Sequence, residues 1–402
     1  MQLNYNRLKS LKEKYGEAFY LLDSKQFKKN YIELKEAFSS IYPNFNIAYS
    51  YKTNYTPEFC KIVNDMGGYA EVVSEMELEL ALKIGAKYSN IIWNGPIKNP
   101  DIMEEFLLSG GTINLDSIEE LNLIEKIARD NPNTILNVGI RCNYDVGDQV
   151  ISRFGLDINS EDFNYCIKAI NELKNVKLTN FQCHFAKRQI EYWPTRVEGM
   201  LQLIERLNIT PDRIDLGGGL FGKMDDELKE QFSYKIPSYN DYAMIVSTAF
   251  TEYFMNKEKK PELIIEPGSA LVGDCMKFVG AVKTIKKVRN KCFITIMGSQ
   301  KNISMIGVNP PIKVYSNKNG EYYENADIVG FTCIEGDVLY KNFKGNISID
   351  DFIVINNCGS YSLVMKPPFI LPNFAVVDIS NDDEKLIKRI ENFEDVFHTF
   401  VF

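Results

Sequence analysis

At 402 residues the chain is longer than one hydrophobic core usually serves, so two domains are expected. Its 45% hydrophobic and 25% charged residues exclude a disordered or fibrous chain. A formal net charge of −8 argues against nucleic acid as a main partner, because a phosphate-binding surface needs a basic excess.

The N-terminal stretch MQLNYNRLKSLKEKYGEAF has no apolar signal-peptide core, and no segment is long enough to span a bilayer. A cytoplasmic protein without membrane contact is therefore expected. The eight cysteines form no CxxC pair and sit mostly in apolar runs, as small hydrophobes of a reducing compartment do. With only two histidines, His184 and His398, no metal site is expected.

From residue 46 a rhythm sets in of short apolar run, turn and capped helix. The runs are NIAYSYK (46–52), YAEVVS (69–74), NIIWNG (90–95) and TINLDS (112–117). Helix starts follow each: Thr56 before Pro57, Ser74 with Glu77, Asn99 before Pro100, and Ser117 with Glu120. Gly67-Gly68, Gly85 and Gly110-Gly111 close the first three helices. The strand signal returns in TILNVGIRCN (134–143), LTNFQCHF (178–185), RIDLGGG (213–219) and ELIIEPG (262–268), with helices expected near 161–173, 190–207 and 241–256. Strands alternating with helices imply a parallel sheet, and a count of eight favours a (β/α)8 barrel over a doubly wound open sheet. The barrel is expected over 24–268. Beyond it KFVGAVKTIKKV, KCFITIMG, GDVLYK and DDFIVINN read as a β-rich domain of 269–402, joined by residues 1–23 through the strand-like AFYLLD.

Barrel enzymes place their chemistry at the C-terminal strand ends. Here those ends carry Lys52, His184, Gly217-Gly218-Gly219 and Glu266. Each has an ordinary reading: a snorkelling or ion-paired lysine, a core histidine, a tight turn, a buried ion pair. Each also has a chemical one: a Schiff-base amine, a flat ring face, amides that approach a phosphate, and a carboxylate seeking a cation. Taken together they describe one ligand, pyridoxal 5'-phosphate.

On AYSYKTN (48–54), EVVSEMELELALKIGA (71–86), IRCN (140–143), SRFGLD (152–157), QCHF (182–185), DLGGG (215–219), IEPG (265–268), CIEGDVL (333–339) and CGSYS (358–362) the chain resembles the alanine-racemase-like, fold-type III pyridoxal-phosphate decarboxylases, the group of diaminopimelate and ornithine decarboxylases. The resemblance implies an amino-acid decarboxylase of TIM-barrel plus β-domain architecture. It implies that Lys52 carries the cofactor and His184 stacks on its ring. Gly217, Gly218, Gly219, Gly268 and Tyr361 would hold the phosphate side, Glu266 the ring nitrogen, and Arg141 would lie near the cofactor. Cys333 would reach the partner subunit's site in a homodimer with shared active sites. An amino-acid racemase or epimerase, or a non-catalytic cofactor-binding relative, are the alternatives.

The motifs also depart from that pattern. The glycine-serine after the strand-six histidine is Ala186-Lys187, followed by Arg188. Ser269 stands where an arginine usually follows EPG, Asn309-Pro310 where an arginine-proline is usual, and Ile334 precedes Glu335 where an acid follows the cysteine. Lys187, Arg188 and Glu335 are accordingly expected at the substrate, Lys187 also as a stand-in for the phosphate-binding serine. Diaminopimelate, lysine and ornithine are expected to be poor substrates compared with a less usual amino acid, or an amino-acid-containing biosynthetic intermediate, that bears an anionic group.

Overall fold

The structure is a computed structural model that describes residues 3–305 and 307–402. The chain divides into two compact units. One comprises Asn30–Phe221 with Ile236–Ala270; the other comprises the residues up to Lys29, Gly222–Lys235 and Leu271–Phe402.

The first unit is built on eight parallel strands: β1 Phe45–Ser50, β2 Tyr69–Val72, β3 Ile91–Trp93, β4 Thr112–Leu115, β5 Leu136–Asn143, β6 Val176–Gln182, β7 Arg213–Asp215 and β8 Glu262–Ile265. Each strand pairs with its sequence neighbour, and β8 returns to β1 with Leu263 opposite Phe45. The ring is closed, so the open sheet is excluded. Most of β1, and the whole of β3 and β4, are buried, as the continuous apolar runs require of strands covered on both faces. β5 runs to Asn143 as expected, and the other seven strands stop two to four residues before the ends expected from the apolar runs. The polar residues that follow have turned off the ladder and into the barrel mouth.

The expected helix starts are present. Ser74 Oγ accepts from the Glu77 amide and Ser117 Oγ from the Glu120 amide. The glutamates do not reach back to the cap itself. Glu77 accepts from Val73 N–H at 2.8 Å and Glu120 from Asp116 N–H at 2.9 Å, one residue earlier. Each carboxylate thereby stitches its helix to the end of the preceding strand. Helices at Glu161–Glu172, Trp193–Leu207 and Tyr239–Phe254 lie within two or three residues of expectation, the second preceded by a 3₁₀ turn at Ile190–Tyr192.

In the second unit the long strand Met276–Val288 pairs with Ala18–Leu22, Lys291–Ile296 and Phe352–Ile355. The AFYLL segment thus joins the β-rich unit, and it also pairs in parallel with Ala375–Asp378. Segment 222–235, which the sequence pattern assigns to the barrel, groups with this unit. Asn356 Nδ2 donates to Asp225 Oδ2 at 2.6 Å and Gln231 Nε2 to Asn309 O at 2.8 Å. Six of the eight cysteines are buried, Cys292 is half-buried and Cys333 is exposed. Among the described residues no helix is long and apolar enough to cross a membrane.

Candidate active site

Parallel registry brings the strand ends to one level. Ser50 on β1 lies opposite Glu71 on β2, Asp215 on β7 lies opposite Ile264 on β8, and Gln182 on β6 lies opposite Asp215. Side chains just beyond these positions therefore share one mouth. Lys52 does not end β1. It sits in a 3₁₀ turn, Tyr51–Thr53, which swings the amine inward to an ion pair with Glu71. Glu71 is completely buried and Lys52 keeps about a third of its side chain accessible.

The carboxyl groups form a cluster. Asn94 Nδ2 donates to Glu71 Oε1 at 3.1 Å and to Glu266 Oε1 at 2.5 Å, bridging the two. Gln182 Nε2 lies 3.3 Å from both Glu266 oxygens. Behind Asn94 the amides continue: Asn114 Nδ2 donates to Asn94 Oδ1 at 2.7 Å, and Asn180 Nδ2 to Asn114 Oδ1 at 2.8 Å. Gly139 leaves room for this chain, since a Cβ there would lie 1.9 Å from Asn114 Oδ1. The barrel interior below the mouth is thus a hydrogen-bonded relay of amides that fixes where the Glu71 and Glu266 oxygens point.

Burial, then Asp215 and Glu71, hold the Glu266 carboxyl well above the usual carboxylate range. Asp215 is pushed up to about 7, chiefly by burial. Glu71 stays below its ordinary value because Lys52 outweighs its burial. Burial pulls the Lys52 ammonium down, but Glu71 and Glu266 together reverse this and its net shift is upward. Glu71 and Glu266 therefore share Lys52, and a second cation beside Glu266 and Asp215 would relieve the remaining repulsion.

His184 stands two residues past β6, half-buried. Its Nδ1 accepts from Gly218 N–H at 3.0 Å and lies 3.8 Å from Glu266 Oε2. Burial and the cations Lys52 and Arg196 drive its pKa well down, so the ring is neutral. The glycine turn follows β7, with Gly217 at φ 70° and Gly219 at φ 86°. A Cβ on Gly218 would meet Glu266 O at 2.5 Å, so the turn and the EPG segment touch backbone to backbone. The amides of Gly217 and Gly218 are turned inward, to Asp215 Oδ1 at 2.8 Å and to His184. Gly268 packs on Thr53, where a Cβ would lie 2.0 Å from Oγ1.

Arg141 on β5 is buried, 3.6 Å from Asp116 Oδ1 and stacked over Phe154 at 4.7 Å. Arg188 lies over the Phe221 ring at 5.7 Å, and Lys187 is half-buried beside it. In the β-rich unit Cys333 and Glu335 lie on an exposed turn, and Tyr361 holds a left-handed backbone at φ 61°, a conformation a tyrosine adopts only under tertiary constraint. Sequence reading missed Glu71, Asn94, Gln182, Asp215 and Arg196. The amides had left a signal: NIIWN, TINL and LTNFQ place Asn or Gln inside otherwise apolar strands, where a buried amide needs partners.

Pyridoxal phosphate fits this set. Its ring nitrogen offers the missing cation to the carboxyl cluster, its aldehyde the electrophile for Lys52, and its flat ring a partner for neutral His184. Residues 25–273 match the family model described as pyridoxal-dependent decarboxylase, pyridoxal binding domain. The diaminopimelate decarboxylase of Aquifex aeolicus is 25% identical over 413 residues, covering 96% of this chain and 92% of that protein. That of Archaeoglobus fulgidus is 25% identical, covering 95% and 92%. The solved structure of the Methanocaldococcus jannaschii diaminopimelate decarboxylase in co-complex with L-lysine has the same fold, with a TM-score of 0.86 at 24% identity and coverage of 98% and 94%. With Lys52, Glu266 and the glycine turn gathered at one mouth and the family matched across the barrel, the chain belongs to the pyridoxal-dependent decarboxylases and is a carboxy-lyase acting on an amino acid.

Proposed function

We propose that Lys52 carries the cofactor and that the barrel mouth removes the α-carboxylate of a free amino acid. The observation that carries this reading is the Lys52 amine held by Glu71 at the edge of a carboxyl cluster centred on Glu266. When bound, pyridoxal phosphate supplies an electron sink for cleavage of the Cα–carboxylate bond. Glu71 holds Lys52 Nζ at the mouth through their ion pair and so orients the amine that would carry the cofactor. Glu266, its oxygens held in place by Asn94 and Gln182, would hold the ring nitrogen and keep it protonated. A carboxylate there, rather than an arginine, keeps that nitrogen protonated and favours decarboxylation over racemisation. His184 would stack on the ring, and Gly219, Gly268 and Tyr361 would hold the cofactor, as the family pattern implies. Cys333, exposed on its turn, or Lys52 would return the proton to Cα, Cys333 doing so from the partner subunit of a cytoplasmic homodimer with shared sites.

For the substrate, two observations pull in different directions. Relatives that match nearly the full length are diaminopimelate decarboxylases, and one solved neighbour holds L-lysine, so the expectation that diaminopimelate is a poor substrate finds no support in the comparisons. Ser269, Asn309 and Ile334 nevertheless replace charged residues, while Lys187 and Arg188 add two cations, which favours a substrate with an anionic tail. Carbon-dioxide release from meso-diaminopimelate, lysine, ornithine and acidic-tailed amino acids, with a Lys52→Ala control and chiral analysis of recovered substrate, tests both. Carbon dioxide lost on Lys52→Ala is the expected result. Racemised substrate without carbon dioxide from any of them would overturn the decarboxylase reading.

A further inference from the structure

Arg196, in the first turn of the helix Trp193–Leu207, is 0% exposed. Its hydrogen-bond acceptors are all backbone carbonyls: Nη1 donates to Leu216 O at 3.3 Å and to Gly218 O at 2.7 Å, and Nη2 to Phe185 O at 3.3 Å and Lys187 O at 3.4 Å. Trp193 at 4.1 Å and Phe185 at 5.4 Å stack against the guanidinium. Among the described residues no carboxylate pairs with it. A buried cation without a counter-ion is costly, and carbonyl dipoles answer only part of that cost. The four carbonyls belong to two loops, the one after β6 and the glycine turn after β7, so a single side chain ties both together.

Among the described residues every peptide bond is trans, so the C=O and N–H of one peptide point in opposite directions. Holding the carbonyls of Phe185, Lys187 and Gly218 therefore turns the N–H groups of Ala186, Arg188 and Gly219 away from Arg196. None of these three N–H groups pairs with a protein acceptor among the described residues, and none of the three residues is fully buried. A cation on the carbonyl side of a peptide also polarises it and strengthens its N–H as a donor.

We infer that Arg196 is a positioning residue and buried counter-charge for the cofactor phosphate, aiming the amides of Ala186, Arg188 and Gly219 at it in place of a serine hydroxyl. The inference rests on the pyridoxal-phosphate reading of the site above. It leaves Lys187 free of the phosphate role expected from its place in the sequence.

The test is equilibrium binding to cofactor-free protein, read by the Schiff-base absorption band, of pyridoxal 5'-phosphate and of pyridoxal, which lacks the phosphate. In Arg196→Met, affinity for pyridoxal 5'-phosphate falls about tenfold or more while affinity for pyridoxal stays within about twofold. Arg196→Lys, which keeps the charge but not the fork, recovers part of the loss and serves alone if Arg196→Met does not fold. Equal losses for both ligands, or no loss for either, would overturn the role of Arg196 while leaving the cofactor reading intact. Failure of the unaltered protein to form the band with either ligand would overturn the cofactor reading and this inference with it.

Discussion

The two sides of the barrel mouth are built from opposite charges by opposite means. On the β1, β2 and β8 side, the buried carboxyls of Glu71 and Glu266 crowd around one lysine and are positioned by side-chain amides. On the β6 and β7 side, one buried arginine faces carbonyls, and the site is made of backbone. Each side is electrostatically incomplete alone: the first lacks a cation, the second an anion. A ligand with a protonated ring nitrogen at one end and a phosphate at the other satisfies both, and this polarity fixes the direction in which it binds. The difference teaches that chemistry and anchoring are separated here. On the proposed reading the acid side controls proton positions at the reacting atoms, and the basic side controls whether the cofactor stays.

Substitutions break the comparison most sharply where the two sides are expected to separate rate from affinity. Glu266→Gln keeps hydrogen-bonding groups for Asn94 and Gln182 but removes the charge. Carbon-dioxide release is expected to drop on the order of 10²-fold or more, with cofactor affinity changed far less. Arg196→Met should do the reverse, as set out above. Equal losses in both parameters for Glu266→Gln would erase the distinction.

Next in size is Asn114→Ala, which cuts the amide relay and strands the Asn180 donor and the Asn94 acceptor. A stability loss of about 1–3 kcal/mol is expected in chemical denaturation. A value near zero would mean that the relay does not hold the acid side in place.

Glu71→Gln removes the largest force raising Lys52, so the amine titrates at lower pH. The midpoint of the pH-dependent Schiff-base spectrum should move downward. An upward move would show that Glu71 is not the carboxylate controlling this amine.

The smallest effect concerns Asp215 in the cofactor-free protein. Its folded pKa of about 7 lies above its ordinary 3.8, so the folded state holds the proton more tightly than the unfolded state does. Its contribution to stability is complete below about pH 4 and is lost as the pH rises through about 7. Asp215→Asn, which does not titrate, should gain on the parent protein by a few degrees in Tm between pH 5 and pH 8. A constant difference across that range would place the titration elsewhere.

Much of this was legible along the chain. Eight apolar runs, their turn residues and the capping serines and asparagines are local signals, and they fixed the barrel to within a few residues of each element. Lys52, His184, the glycine triplet and Glu266 were readable because they stand just beyond strand ends. Glu71 was not, because in YAEVVS it looks like the polar member of an alternating strand. Asp215 was hidden in the same way by RIDLGGG.

By itself, then, the linear order of residues determined which segments become strands and helices and which reactive groups reach the mouth, since periodicity and capping act over a few residues. Only the closed barrel decided that Lys52 meets Glu71, that Asn94 bridges two carboxylates, and that Arg196 backs the glycine turn. Those contacts join residues far apart in the chain, and their energies come from burial and charge proximity that exist only once the ring has closed.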